Sequence, residues 1–293
     1  MIVVKIHAGL GNQLFQYAMG KALAHRFGCP FLIDTRRAGS HREIGIHAFN
    51  IEAETVAPKI ARRLERRKTQ WVRLVKLFTG RDIREGASHF ITNLTPDELN
   101  ALSIDPGTED YYFDGYYQSA RNFESIADTI RRNLTPRVPL EGANAELACR
   151  AAECPSVSLH VRRGDYFSPK YQATFGVPLT DYYHNAMRRM AEWIGNPHFY
   201  VFSDDHDWVR RNLRFEHPVT FVEGNTGKKT YCDILLMSAC RNHITANSSF
   251  SWWGAWLNPR PEKKVVVPHP WFLKPEWIPV DIIPPEWTVL PAF

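Results

Sequence analysis

The sequence predicts an α/β protein built on two parallel sheets, and three observations carry that prediction. Short apolar runs of strand length alternate with longer stretches of helical periodicity along nearly the whole chain. A glycine loop joins a strand to a helix in the first fifteen residues. The residues with chemical character gather just after the apolar runs, where an open parallel sheet holds its ligands. With 293 residues, 44% of them hydrophobic and 23% charged, the chain can fill two cores of ordinary size.

The first strand is Ile2 to His7. The loop Ala8-Gly9-Leu10-Gly11-Asn12-Gln13 follows, and then Leu14, Phe15, Ala18, Ala22 and Leu23 recur at helical spacing before a second strand, Phe31 to Asp34. A dinucleotide fingerprint G-x-G-x-x-G would need its third glycine at Leu14, so NAD binding is disfavoured. What remains is a loop whose Gly9 and Gly11 let backbone come close to a polar ligand, beside two amides, Asn12 and Gln13, that both donate and accept.

Residues 59–76 hold Lys59, Arg62, Arg63, Arg66, Arg67, Lys68, Arg73 and Lys76 against Glu65 alone. This one segment accounts for more than the chain's net charge of +5, so the remainder is slightly acidic and a general nucleic-acid binder is not indicated. Ile60, Leu64, Trp71, Leu74, Val75 and Phe78 make the segment a basic amphipathic helix, either a solvated face or a surface for anionic membrane.

Pro136, Pro139, Gly142 and Pro155 mark a break, which gives expected domains of 1–150 and 151–293, with a tail able to pack back on the first domain. In the second half, Val157–Val161, Phe199–Phe202, His243–Ala246 and Lys264–Val267 read as strands, separated by helices that include Tyr182–Ile194 and Asp233–Cys240.

Strand ends carry the chemistry. His160-Val161-Arg162-Arg163-Gly164-Asp165-Tyr166 puts two guanidinium forks at the end of an apolar run, a good match to a diphosphate. Alternation places His160 and Arg162 on one face and Arg163 on the other, so the two arginines should do different jobs. Gly164 permits a tight turn, and Asp165 can orient an arginine or accept a proton. A structural ion-pair turn would have the same composition. Asp204-Asp205-His206-Asp207 suits either a divalent metal or the hydroxyls and amides of a nucleoside, and arginine at the diphosphate favours the second. Asn247 can cap a helix through Phe250–Leu257, leaving Ser248 and Ser249 with free N–H groups that hold phosphate oxygens. The tryptophans of that helix are core.

Cys29, Cys149, Cys154, Cys232 and Cys240 form no C-x-x-C pair, so they read as reduced thiols rather than disulfides or zinc ligands. Neither a signal-peptide pattern nor an apolar run of membrane-spanning length occurs, and a cytoplasmic location is expected.

Gly9-Leu10-Gly11-Asn12-Gln13-Leu14-Phe15-Gln16-Tyr17, Gly115-Tyr116-Tyr117-Gln118-Ser119, His160 to Tyr166, Phe202-Ser203-Asp204-Asp205 and Ala246 to Leu257 together resemble the bacterial α-1,2-fucosyltransferases of glycosyltransferase family 11. The resemblance implies a GT-B fold of two facing Rossmann-like domains, the first, with the glycine loop 9–13, on the acceptor side, and GDP-L-fucose held mainly by the second without an essential metal. It implies inverting transfer of L-fucose to the 2-hydroxyl of a terminal galactose, in an oligosaccharide or lipid-linked glycan of the O-antigen or surface-polysaccharide type. By position, Arg162 would hold the β-phosphate, His160 would support the donor site, Ser248, Ser249 and Phe250 would line the diphosphate, and Asn12 would complete the site. Asp204 or Asp205 would bind guanine or ribose, and Asp165 is the candidate general base. Ala8 stands where that family often has a third glycine, and Tyr117 where it often has phenylalanine. The competing readings are a metal-dependent glycosyltransferase using Asp204 and Asp205, and a glycan-binding protein without turnover.

Overall fold

The computed structural model describes residues 1–36, 43–65, 88–105, 107–167 and 169–293, with the side chains of Ser88, Asp165, Phe167, Pro169 and Lys170 left out. The chain divides into two compact units, Met1–Thr135 and Pro136–Phe293. Each is a parallel sheet with helices, as the alternation of apolar runs and helical stretches predicts.

In the first unit the strands β1 (Ile2–Lys5), β2 (Phe31–Asp34), β3 (Glu54–Thr55), β4 (Ser88–Ile91) and β5 (Asp110–Phe113) lie in the order β3-β2-β1-β5-β4. Every pair is parallel, with Ile2 opposite Phe31 on one side and Tyr111 on the other. Helix α1 (Leu10–Phe27) carries the chain from β1 to β2 and ends at Gly28, whose φ of 59° is the left-handed stop that glycine supplies without strain. The close seat of α1 on the sheet depends on Gly20, where a Cβ would lie 2.5 Å from both Phe31 and Val4 side chains. Helix α2 (Pro58–Glu65) buries Ala61 and Leu64, while Arg63 of the same helix pairs with Asp110 at 3.0 Å. Residues 66–76 of the expected basic helix lie outside the described residues. Helices α3 (Pro96–Ala101), capped by a reciprocal Thr95–Glu98 box, and α4 (Ala127–Asn133) follow in the same unit.

The second unit adds α5 (Gly142–Glu153), β6 (Ser156–Val161), α6 (Pro169–Phe175), α7 (Thr180–Ile194), β7 (His198–Ser203), α8 (His206–Asn212), β8 (Val219–Phe221), α9 (Tyr231–Ala239), β9 (Asn242–Ile244), α10 (Ser249–Leu257), β10 (Val265–His269) and β11 (Thr288–Pro291). Its strand order is β11-β10-β9-β6-β7-β8, again all parallel. Alternation splits the core between two faces: Val157, Leu159, Val161, Phe199 and Val201 pack with Tyr182, Ala186 and Met190 of α7, whereas Tyr200 and Phe202 pack with Ala151, Leu236 and Met237. Leu159 is fully buried, so Leu159→Ala should cost about 2–5 kcal/mol. Trp252, Trp253, Trp256 and Trp287 stack and cross at centroid distances of 5.1–6.1 Å. They are core, as expected.

One expectation about domain organisation changes. The break falls after Thr135, at the start of the proline-marked stretch, rather than at 150, because Thr135 is bonded to Asn50 of the first unit by backbone and side chain while Ala151 of α5 belongs to the second core. The tail forms β11 of the second sheet, where it pairs with β10 and the Ala292 N–H donates to the His269 carbonyl at 2.9 Å.

Candidate functional site

In both sheets the strand order reverses beside a central strand, and the carboxyl end of that strand is where open α/β sheets bind ligands. For the second sheet the strand is β6, flanked by β7 and β9.

Arg162 and Arg163 leave β6 next to Asp204 and Asp205, which leave β7. Asp204 joins the two strand ends, taking Arg162 Nη1 on Oδ2 at 2.7 Å and the Arg163 backbone N–H on Oδ1 at 2.9 Å. Gly164 makes room for it, since a Cβ there would sit 2.5 Å from Asp204 Oδ2. Asp205 is the N-cap of α8, its Oδ1 accepting the Trp208 N–H at 3.0 Å, and its Oδ2 lies 3.5 Å from Arg163 Nε. The Arg163 guanidinium lies 3.7 Å from the centre of the Trp208 ring. Arg163 is thus built into the fold as alternation predicts, stacked on an indole and paired with a carboxylate. Both carboxylates are held by these contacts yet stay partly exposed, Asp204 at 26% and Asp205 at 40%. Among the described residues no group of three or more His, Cys, Asp or Glu is placed to hold a metal ion.

His160, the penultimate residue of β6, is buried, and its Nδ1 has no hydrogen-bond partner among the described groups. Burial first, and the Arg162 charge second, push its pKa down to about 3, so the imidazole is neutral at any working pH. Its ring centre lies 5.8 Å from that of Phe250.

The neighbouring turn, from β9 into α10, corrects another expectation. Ser248, not Asn247, caps α10, its Oγ accepting the Phe250 N–H at 3.3 Å. Asn247 is fully buried and donates its amide instead to the carbonyls of Phe175 at 3.0 Å and Gly176 at 3.3 Å, fixing the end of α6. Tyr166 connects this turn to the arginine: its hydroxyl donates to the Asn247 carbonyl at 3.2 Å and its ring lies 5.8 Å from the Arg162 guanidinium. The first turn of α10 holds no acidic residue, so the partial positive charge of the helix start adds to that of Arg162. The structure therefore brings His160, Arg162, Ser248, Ser249 and Phe250 to adjoining strand ends. The Asp165 side chain lies outside the described residues.

The other expected residues belong to the first unit. Gly9 is the N-cap of α1 and Gly11 is buried in its first turn. Asn12 Oδ1 accepts from Gln118 Nε2 at 2.6 Å. Gln13 is not available to a ligand: its amide donates to the Ala8 and Glu43 carbonyls, and its oxygen accepts the N–H groups of Gly45 and Ile46. Gln16 accepts the His7 N–H at 2.9 Å and donates to the Gly115 carbonyl at 3.0 Å, which locks the ends of β1 and β5 together.

Sequence reasoning passed over Asp233, in the first turn of α9. Burial raises its pKa to about 7, and Asn225 Nδ2 donates to Oδ1 at 2.7 Å. Asn225 in turn exchanges amide hydrogen bonds with Asn144. An acidic residue inside the apolar run Tyr231–Met237 was the available signal. Because α9 carries the chain from β8 across to β9, it starts at the same carboxyl edge as α10.

The sequence profile of glycosyl transferase family 11 matches residues 88–289, more than half of the chain. The chain belongs to that family. It is similar to an α-1,2-colitosyltransferase of Escherichia coli, 31% identical with 98% of each chain covered. It is also similar to human galactoside α-(1,2)-fucosyltransferase 1, 28% identical over 95% of this chain and 75% of that protein. Among solved structures, NodZ α-1,6-fucosyltransferase soaked with GDP-fucose superposes with a TM-score of 0.55 at 16% identity, covering 88% of this chain and 92% of NodZ. The family 11 chain thus shares the GT-B fold of these fucosyltransferases.

Proposed function

We propose that this family 11 glycosyltransferase moves L-fucose from GDP-β-L-fucose to the 2-hydroxyl of a galactose-terminated glycan, giving an α-1,2 linkage with inversion. The observation that carries the reading is Arg162, pinned by Asp204 and Tyr166 beside the uncompensated start of α10. The acceptor oxygen attacks the anomeric carbon, the bond from that carbon to the β-phosphate oxygen breaks, and its electron pair leaves on GDP. Charge grows on the diphosphate as this happens. A fixed guanidinium and oriented N–H groups stabilise that charge without reorganising.

His160, neutral and buried beside Phe250, suits support of the donor site from beneath rather than proton transfer. We assign the proton of the acceptor hydroxyl to Asp165 on its sequence position alone, three residues past Arg162. Asp204 or Asp205 would bind guanine or ribose, and Asp233 at the start of α9 is a further carboxyl at this edge, whose ionised form would accept two N–H groups of guanine. No essential metal enters this scheme, because Arg162 and the helix start supply the charge that a cation would.

The similarity to a colitosyltransferase favours a second reading of the donor. Colitose is L-fucose without its 3-hydroxyl, so both sugars carry the same leaving group. Turnover of GDP-fucose and GDP-colitose with lactose, followed by linkage analysis of the product, tests both. GDP release that no galactoside accelerates, with either donor, would overturn the transferase reading.

A further inference from the structure

Alternation along β6 sends Arg162 to the face of the second sheet where Phe250 and α9 pack, and Arg163 to the face packed by α7 and α8. On the Arg163 face a cavity of about 380 Å³ opens between the start of α7, Trp208 of α8 and Phe293. That volume is within the range of small-molecule sites. Its walls are fixed by backbone: the Leu179 N–H donates to the Ala292 carbonyl at 2.9 Å, and the Lys274 N–H to the Thr174 carbonyl at 3.1 Å. Gly176, which follows α6, has φ at 67°, and a Cβ there would lie 2.6 Å from the Phe293 ring and 2.8 Å from Leu273. A glycine is therefore what lets these walls meet.

Leu179, Leu273 and Phe293 line the cavity and are 54%, 45% and 40% exposed, three of the nine large apolar side chains that the described residues leave in water. Such side chains are ordinary when scattered, but three around one opening mark a surface that something apolar covers. Among the described residues the charged group in the wall is Arg163, with the Thr180 hydroxyl as a second polar group. Asp205 lies 3.5 Å from Arg163 Nε but is not part of the wall. An apolar cavity with a guanidinium in its wall complements a molecule that is apolar along its length and anionic at one end. We infer that this cavity binds a single-chain amphiphile with an anionic head, Arg163 and Thr180 meeting the head while Leu179, Leu273 and Phe293 cover the chain. The site uses none of the groups assigned to sugar transfer.

Octanoate is the probe, with octanol as the same chain without the charge. Calorimetric titration of the full chain should give one octanoate site with a Kd of at most about 1 mM, and octanol should bind at least about fivefold more weakly. Leu273→Asp and Leu179→Asp should each weaken octanoate binding at least about tenfold. Both positions are about half exposed and aspartate is a good N-cap for α7, so both variants should fold. Saturating GDP should leave the octanoate Kd within about twofold, because Arg162 and the start of α10 serve the other face of the sheet. Octanoate that does not bind, octanol that binds as tightly, or parental affinity in both variants would overturn the inference. So would competition from GDP, which would make the cavity part of the donor site. Fucose transfer by a chain that ignores octanoate removes this site alone, whereas octanoate binding by a chain that transfers no fucose removes the transfer reading alone.

Discussion

Arg162 Nη1 lies 2.7 Å from Asp204 Oδ2, while the next residue, Arg163, turns to Trp208 and Asp205. Two adjacent arginines are thus sent to different partners by the twofold alternation of a strand end, and the proposed function gives the chemistry to Arg162 alone. Arg162→Lys keeps the charge but loses the planar fork, and turnover should fall by at least about a hundredfold at nearly unchanged thermal stability. Arg163→Lys should lose roughly 1–2 kcal/mol of stability with its desolvated indole stack, and its activity should follow the folded fraction. Near-parental turnover in Arg162→Lys, beside a folded but inactive Arg163→Lys, would reverse the assignment.

Ala8 enters the glycine loop with φ at 65°, a left-handed conformation that costs an alanine about 1 kcal/mol or more and a glycine little. The frequent glycine there in the family that the loop resembles now has a physical reason. Ala8→Gly relieves this strain but adds freedom to the unfolded chain, so the net gain should be at most about 1 kcal/mol. Denaturant melts of the two proteins measure it; a clear loss of stability would mean that the Ala8 methyl makes contacts worth more than its strain.

Long apolar runs made much of the fold legible. Phe31–Asp34 appears as expected, and the strands expected in the second half and the helices at 182–194 and 233–240 all form to within a few residues. The strands not expected are β3, β4, β5, β8 and β11, of two to four residues each, too short for alternation to mark clearly. Pro136 does mark the boundary, and the expected position of 150 was late because α5, which follows the prolines, joins the second core. At the candidate site, the facing of Arg162 and Arg163 was readable because alternation fixes a face. The partners of Asn247 and Gln13 were not, because an amide that could hold a ligand can equally hold the backbone, and only the fold shows which partner is within reach.

Turnover of GDP-fucose should survive EDTA, since Arg162 and the start of α10 supply the positive charge that the leaving diphosphate needs. The assay compares GDP release before chelation, after it, and after Mn²⁺ is restored. Activity abolished by chelation and recovered with Mn²⁺ would return Asp204 to the role of metal ligand.

The proposed role of Asp233 in reading the nucleoside carries a pH dependence of definite sign, because its pKa is raised. In the free protein, burial holds this carboxyl near pKa 7, whereas two N–H donors from a guanine would stabilise the carboxylate and pull the value down in the complex. Binding then releases a proton below about pH 7, so GDP affinity should fall by roughly tenfold between pH 8 and pH 6. The terminal phosphate of GDP titrates in the same range and contributes its own share. Asp233→Asn isolates that share, because it cannot titrate, and it should show weaker binding at pH 8 with a shallower pH profile. Folding is not at risk in the variant. A carboxyl whose pKa is raised on folding destabilises the native state as pH climbs from its unfolded value through 7, so the asparagine chain should be at least as stable at pH 8 as the parent. Isothermal titration with GDP at pH 6, 7 and 8 provides the comparison, and identical profiles for the parent and Asp233→Asn would remove Asp233 from the nucleoside site.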